Sequence, residues 1–279
     1  MAYLPSLPSL SVSRVLVALA VPIALCAGCT STVGRTARVP HASVPMFSGQ
    51  PMSTPIEVMG GVSSVADLKK PARGDRDSDV SVEVPGTQLH GEVRFRTSAS
   101  TFAGVIIEDG LASGSHRVGA ASVPVGNKDV FGIGGVFAGS LPMSPELRLG
   151  LLAQVMRWSV PYVSYQQSAD GTISGISHDS EGVSTFGVGV TPSYHHGRVT
   201  LFGTAFVRNH PQSRPALDEL LVDTDAVEGG PFNLLLGAGL EVAIAPRLSA
   251  TALVQHNLTS EPVRYGPSLA FSLTGKLGN

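Results

Sequence analysis

The segment Thr185-Phe-Gly-Val-Gly-Val-Thr-Pro-Ser-Tyr-His195 alternates between two kinds of residue. Its even positions are apolar or aromatic, and its odd positions are small or polar. A period of two is the signature of a β-strand whose two faces have different surroundings. Strands of soluble proteins average about 5–6 residues, whereas about 9–11 residues are needed to cross a bilayer at a tilt. The segment therefore predicts a long strand with one apolar face.

Similar alternation continues on both sides of this segment and predicts about ten antiparallel strands, with eight to twelve left open. The non-apolar faces carry mostly Gly, Ser, Thr and Ala, which suits a narrow barrel interior better than a solvated surface. The sequence thus predicts an all-β fold, an antiparallel transmembrane β-barrel. The predicted strands lie at about 88–98, 101–111, 115–125, 129–141, 147–166, 184–196, 198–209, 231–245, 248–258 and 263–277.

The connections between these strands differ in length. Segments 167–183 and 210–230 are predicted to be long loops, and they alternate with short links such as 246–247. Membrane barrels have short periplasmic turns and longer external loops. This parity places the C-terminus in the periplasm.

Composition narrows the possible partners. The chain has 19 Lys and Arg against 21 Asp and Glu, a formal net charge of −2, so it lacks the basic excess that nucleic-acid binding needs. Only 14% of residues are charged, below the roughly 25% of soluble domains. Nucleic acid is therefore not an expected partner.

The N-terminus has the pattern of a targeting segment. Arg14 precedes an apolar stretch, residues 15–25, which is too short to span a bilayer and has the length of a secretory signal core. The stretch ends in Leu25-Cys26-Ala27-Gly28-Cys29, which resembles a bacterial lipobox. The resemblance implies cleavage after residue 28, acylation of Cys29 and, with Thr30 following, delivery to the outer membrane.

The residues after Cys29 differ in composition from the predicted strands. Residues 29–85 are rich in Pro and Ser and contain a run of mixed charge, which is typical of an extended linker. The predicted organisation is a signal peptide at 1–28, a lipid-anchored linker at 29–85 and a barrel at 86–279. Residues 56–68 could hold a short strand or helix.

The last segment, Tyr265-Gly-Pro-Ser-Leu-Ala-Phe-Ser-Leu-Thr274, resembles the closing strand of small bacterial outer-membrane β-barrel proteins. With the lipobox, this resemblance implies a lipid-anchored protein of the bacterial outer membrane. Its expected partners are the lipid of that membrane and the machineries that assemble barrels and sort lipoproteins. No cofactor and no metal is expected.

Strand parity assigns a direction to individual side chains. A lumen lined with paired charges would be plugged, whereas an unfilled lumen would be a small, positively lined pore; both remain open here. The lumen-facing candidates are Glu92, Arg94, Arg96, Arg148, Glu241, Arg264 and Lys276. The candidates for a lipid-facing aromatic girdle are Phe186, Tyr194, Phe232 and Tyr265.

The expected function is non-enzymatic: a structural or interaction role, or a small passive pore. The alternative is a soluble, lipid-anchored barrel that binds an apolar ligand as lipocalins do, with the apolar faces pointing inward. A third possibility is a barrel-type lipid hydrolase, because His178-Asp-Ser-Glu181 brings together residue types that hydrolases use. No catalytic residue is assigned, since four neighbours in one loop rarely aim at one atom. The pair His195-His196 is interpreted as part of a turn.

Overall fold

A computed structural model of the chain describes residues 32–41, 43–65, 80–111, 116–118, 121–123, 129–168, 172–209, 232–258 and 267–278. These residues form β-strands joined by turns, and they include no helix long and apolar enough to cross a membrane. The strands are β1 (Thr32–Arg38), β2 (Ile56–Val65), β3 (Val80–Glu83), β4 (Thr87–Arg96), β5 (Thr101–Leu111), β6 (His116–Val118), β7 (Ala121–Val123), β8 (Val130–Pro142), β9 (Leu147–Gln167), β10 (Ile173–His196), β11 (Val199–Arg208), β12 (Asn233–Ala245), β13 (Leu248–Asn257) and β14 (Ser268–Leu277).

Ten of these strands close into one antiparallel barrel. The order around the barrel is β2, β4, β5, β8, β9, β10, β11, β12, β13 and β14, and β14 pairs with β2 to complete the ring. The predicted fold class and the predicted number of strands are therefore confirmed. One predicted barrel strand is wrong, because the described residues of the segment 115–125 form the short hairpin of β6 and β7, which lies outside the barrel sheet.

The tenth barrel strand is β2, which comes from the predicted linker. Ile56, Val58 and Val62 alternate with inward residues such as Met59 and Ser63, so β2 has the same two-faced pattern as the other strands. It pairs along its length with β14 on one side and β4 on the other. The predicted boundary at residue 86 is thus too late, because the Pro-rich flanks of β2 dominate the composition of the segment and hide its short alternation.

The two ends of the barrel differ in their connections. At one end, which we call the short-turn end, lie the turns 97–100, 143–146, 197–198 and 246–247, with the start of β2 and the end of β14. The opposite, long-loop end carries the connections 66–86, 112–129, 209–232 and 258–267. The alternation of short and long connections that the sequence predicts is therefore present.

β9 and β10 rise beyond the rest of the barrel as one long hairpin. The predicted loop 167–183 is wrong: β9 and β10 keep pairing from the barrel wall to the contact of Ile173 with Gln167, so only 168–172 connects them. A register shift lies between Ser174 and Ser177, where Gly175 has a φ of 62°. A bulge of this kind favours Gly at a left-handed position and increases the twist of the ribbon. Above the barrel, β1 and β3 extend the same sheet on the other side of β9.

The outer surface of the barrel is apolar all the way round. Every barrel strand exposes at least one large apolar side chain, including Val58, Leu89, Val105, Phe137, Leu151, Val188, Leu201, Leu236, Val254 and Phe271. A soluble protein does not expose a continuous apolar belt, whereas a barrel in lipid requires one. The soluble, lipocalin-like alternative is wrong, because it needs these stripes to face inward.

Lumen-facing glycines make room for the aromatic side chains of the interior. Gly132 lies opposite Trp158 in the β8–β9 register, and a Cβ there would collide with the indole ring. Gly239 lies opposite Phe202 in the same way, between β12 and β11. Trp158 is fully buried, and its Nε1 donates to Thr185 Oγ1 at 3.1 Å. The glycines on the inner face therefore allow bulky rings to fill a narrow barrel.

The apolar belt can be tested by placing one charge on it. Val190→Arg, in the outward row of β10, should destabilise the barrel by about 2–4 kcal/mol in lipid, because an outward charge near the bilayer centre must be desolvated. Ser180→Arg, on the exposed upper part of the same strand, is the matched control and should have little effect. Unfolding by urea in phospholipid vesicles measures both. A neutral Val190→Arg would mean that this face does not lie in lipid.

Candidate functional site: a lumen closed by the N-terminal segment

The barrel lumen is filled by the chain's own residues 39–50, which we call the lumen segment; residue 42 lies outside the described residues. Val39, His41, Val44 and Phe47 are each at most 3% exposed, although they belong to no strand. The segment connects β1, at the long-loop end, to β2, which begins at the short-turn end. It therefore runs through the lumen from one mouth to the other.

The barrel wall holds the lumen segment through hydrogen bonds along its whole length. Near the long-loop end, His41 Nε2 lies 2.7 Å from Ser63 Oγ, and the Val44 amide donates to Gln255 Oε1 at 2.6 Å. Arg94 Nη2 donates to the Met46 carbonyl at 2.8 Å, and Ser140 Oγ donates to the Gly49 carbonyl at 2.7 Å. Polar backbone groups of a strand-free segment are thus satisfied by side chains of the wall.

A ladder of charged and polar side chains on β4 and β5 supports these contacts. The guanidinium of Arg94 forms a two-point ion pair with Glu92, at 2.6 Å through Nε and 3.0 Å through Nη2. His90 lies between two carboxylates, 3.4 Å from Glu92 and 3.3 Å from Glu108. Gln88 Nε2 donates to Glu108 Oε2 at 2.5 Å. A buried charge is tolerated only when it is paired, and this ladder pairs its members.

Apolar packing completes the contact between the lumen segment and the wall. Phe47 meets Phe102 edge to face, with ring centroids 5.4 Å apart. The Arg94 guanidinium lies 5.0 Å from the centroid of the same Phe102 ring. Such aromatic and cation–π contacts each add about 0.5–1.5 kcal/mol beyond area burial. Arg94 therefore links the charged ladder, the aromatic pair and the backbone of the lumen segment.

The predicted lumen residues occupy several environments. Glu92 and Arg94 are buried inside the barrel; Glu241, Arg148 and Lys276 are partly buried on inward rows. Lys276 lies opposite Glu57 in the β14–β2 register, and Glu57 lies opposite Arg94 in the β2–β4 register. Arg96 is exposed at the end of β4. Arg264 and the predicted anchor Cys29 lie outside the described residues.

The predicted girdle residues are exposed on the outer surface where described. Phe186 and Phe232 meet edge to face at 6.1 Å, at the upper part of the belt. Tyr194 stacks on His196 at 6.4 Å near the short-turn end. Tyr265 lies outside the described residues.

The candidate hydrolase cluster does not form a catalytic arrangement. His178, Asp179, Ser180 and Glu181 are consecutive exposed residues of strand β10, so their side chains alternate between its two faces. Asp179 accepts instead from Tyr162 Oη at 3.4 Å and from the Ser180 amide at 2.8 Å. Among the described residues, no three His, Cys, Asp or Glu side chains gather into a possible metal site.

Most of the residues that contact the lumen segment are not predicted by the sequence. Glu57 and Met59 lie in the segment interpreted as a linker, and their alternation with Val58 was the available signal. Glu108, the buried partner of His90 and Gln88, lies on β5, where the alternation in the sequence is patchy. Nothing in residues 39–50 has a period that predicts burial, because the segment is extended and contacts different strands at each step.

Comparisons with known proteins concern the fold only. No family model and no curated protein matches the chain. LpxR from Salmonella typhimurium matches with a TM-score of 0.42 and 8% identity over 79% of this chain and 100% of that chain. The translocator domain of the autotransporter NalP from Neisseria meningitidis matches with a TM-score of 0.39 and 13% identity over 81% and 89%. The outer membrane protease OmpT from Escherichia coli matches with a TM-score of 0.36 and 12% identity over 82% and 100%. The scores are low, and the barrel described here rests on its own strand pairing.

Removal of the Arg94 charge should disrupt the lumen strongly. Arg94→Met leaves Glu92 buried without its main partner and should destabilise the barrel by about 3–5 kcal/mol. Arg157→Met, an exposed arginine whose Nη1 donates to Ser184, is the control and should cost far less. The double variant Glu92→Gln with Arg94→Met should recover a large part of the loss. Equilibrium unfolding in vesicles gives all three values, and equal losses for Arg94 and Arg157 would contradict the ladder.

The path of the lumen segment can be tested by chemical cross-linking. The Gln50 side chain reaches Ser193 on β10, with Nε2 donating to Oγ at 3.1 Å. Gln50→Cys with Ser193→Cys, in a chain without Cys26 and Cys29, should be joined by a short thiol–thiol cross-linker and change mobility on denaturing gels. Gln50→Cys with Ser249→Cys, on a different wall of the barrel, should be joined far less. Cross-linking of both pairs alike would mean that the segment does not follow this path.

Proposed function

We propose that this protein is an outer-membrane β-barrel lipoprotein, acylated at Cys29, with a structural or interaction role and a lumen kept closed by its own N-terminal segment. Its membrane side chains are the outward apolar rows of the barrel strands. Its partner surface is the sheet of β1, β3, β9 and β10 that stands above the barrel at the long-loop end.

The observation that carries this proposal is the filled lumen. The lumen segment binds β2, β4, β8, β10 and β13 by hydrogen bonds from one mouth to the other. A passive pore requires a continuous water-filled path, and the buried side chains of Val44, Met46 and Phe47 occupy that path. The plugged alternative of the sequence analysis is therefore favoured over the open pore.

The exposed hairpin favours an interaction role. Residues 174–181 of β10 are exposed and mostly polar, and among the described residues they pair with β9 on one edge only. This projecting part of the sheet takes no part in closing the barrel. It is the part of the described structure best placed to contact other molecules.

The proposal predicts that the full chain is silent in planar bilayers. The wild-type barrel should insert without stepwise conductance, because its lumen holds no open path. A chain lacking residues 30–50 should show steady channel events, since it keeps the barrel strands but loses the lumen segment and the residues before it that a shorter deletion would draw into the lumen. A deletion at residues 68–79, between β2 and β3, is the control and should stay silent.

Two results would contradict the proposal. Steady conductance by the wild-type chain would show that the lumen is open. Recovery of the unlipidated Cys29→Ala form in plain buffer, without detergent, would show that the barrel does not reside in a membrane.

A further inference from the structure

The direction of the lumen segment places the chain before residue 39 at one particular mouth of the barrel. His41 contacts Ser63, near the long-loop end of β2, whereas the Gly49 carbonyl accepts from Ser140, near the short-turn end of β8. The chain therefore enters the lumen at the long-loop mouth and descends to the start of β2. The C-terminal strand β14 ends at the short-turn mouth, beside the first residue of β2.

Above the lumen, β1 continues away from the barrel. Ala37 pairs with Tyr162, and Thr32 pairs with Gln167, the last residue of β9. The first described residue thus lies level with the tip of the β9–β10 hairpin. Gly34 packs against the Tyr165 ring so closely that a Cβ there would collide with it, which holds this part of β1 against β9.

The height of this point can be estimated along β9. The outward row of β9 is apolar up to Val155 and becomes charged at Arg157, which marks the upper edge of the apolar belt. Gln167 lies ten residues further along the strand. At about 3.3 Å per residue and a tilt of about 40°, that distance is about 25 Å along the barrel axis.

We propose that the N-terminal end of the mature chain lies on the long-loop face of the membrane, opposite the C-terminus, because it reaches that face through the barrel's own lumen. The inference rests on the proposed membrane-spanning barrel and adds the side on which Cys29 lies. Cys29 lies three residue steps before Thr32, and these steps span at most about 10 Å. While β1 stays paired with β9, Cys29 is therefore expected on the same face of the membrane as Thr32. This differs from a periplasmic tether, which the start of the barrel at the short-turn end would otherwise suggest.

Epitope insertion in the full chain tests this arrangement in cells with an outer membrane. One tag is inserted between Ser31 and Thr32, a second at residue 170 in the hairpin tip, and a third after Gly197 in the short turn. Each is made with Cys29 and with Cys29→Ala. Antibody labelling is compared on intact and permeabilised cells.

The tag before Thr32 should label intact cells as strongly as the tag at residue 170, with no gain on permeabilisation and no dependence on Cys29. The tag after Gly197 should label only after permeabilisation. If the tag before Thr32 instead behaves like the tag after Gly197, while the tag at residue 170 labels intact cells, the inference is overturned and the proposed barrel stands. If the tags at 170 and 197 label alike, the barrel does not separate two faces, and the proposed function fails together with the inference.

Discussion

Closure of β14 onto β2 is the interaction on which the rest of the structure depends. In hydrocarbon no water can satisfy a backbone N–H or C=O, so a sheet can lie in lipid only when every edge is paired. The register from Ile56 to Ser64 on β2, against β14 on one side and β4 on the other, supplies the pairing that turns an open sheet into a ring. Once the ring exists, the outward residues must be apolar and the inward ones must fill a narrow space. Both requirements appear in the same strands as a period of two.

The interior poses the harder problem, because a ten-stranded ring encloses more space than its own side chains occupy. This protein fills the space in two ways. Aromatic rings such as Trp158 pack over glycines of the neighbouring strand, and a strand-free segment of the chain passes through the remainder. Arg94 joins these parts, since it binds Glu92, the Met46 carbonyl and the face of Phe102 at once. Arg94 and its partners thus hold the lumen segment in place, and the proposed function rests on the closed lumen.

The part of the wall beyond the apolar belt has different surroundings from the barrel itself. β9 and β10 keep pairing beyond the apolar belt because their backbone groups still favour partners, while the side chains of β10 become mostly polar. β1 pairs with this extension just before the chain enters the lumen at the long-loop mouth. The projecting sheet and the filled lumen are thus two consequences of one path of the N-terminal segment. The side of the membrane on which that segment begins depends on the same path.

The sequence by itself determined the class of fold and the direction of most apolar rows, because a two-residue period is a local property that each strand carries alone. It also placed Glu92 and Arg94 on an inward row. Only the tertiary structure decided that Ile56–Val65 completes the ring, that residues 167–183 form a hairpin and that residues 39–50 occupy the lumen. These features depend on contacts between segments far apart in the chain, such as Val44 with Gln255, and no local pattern encodes which wall an extended segment will meet.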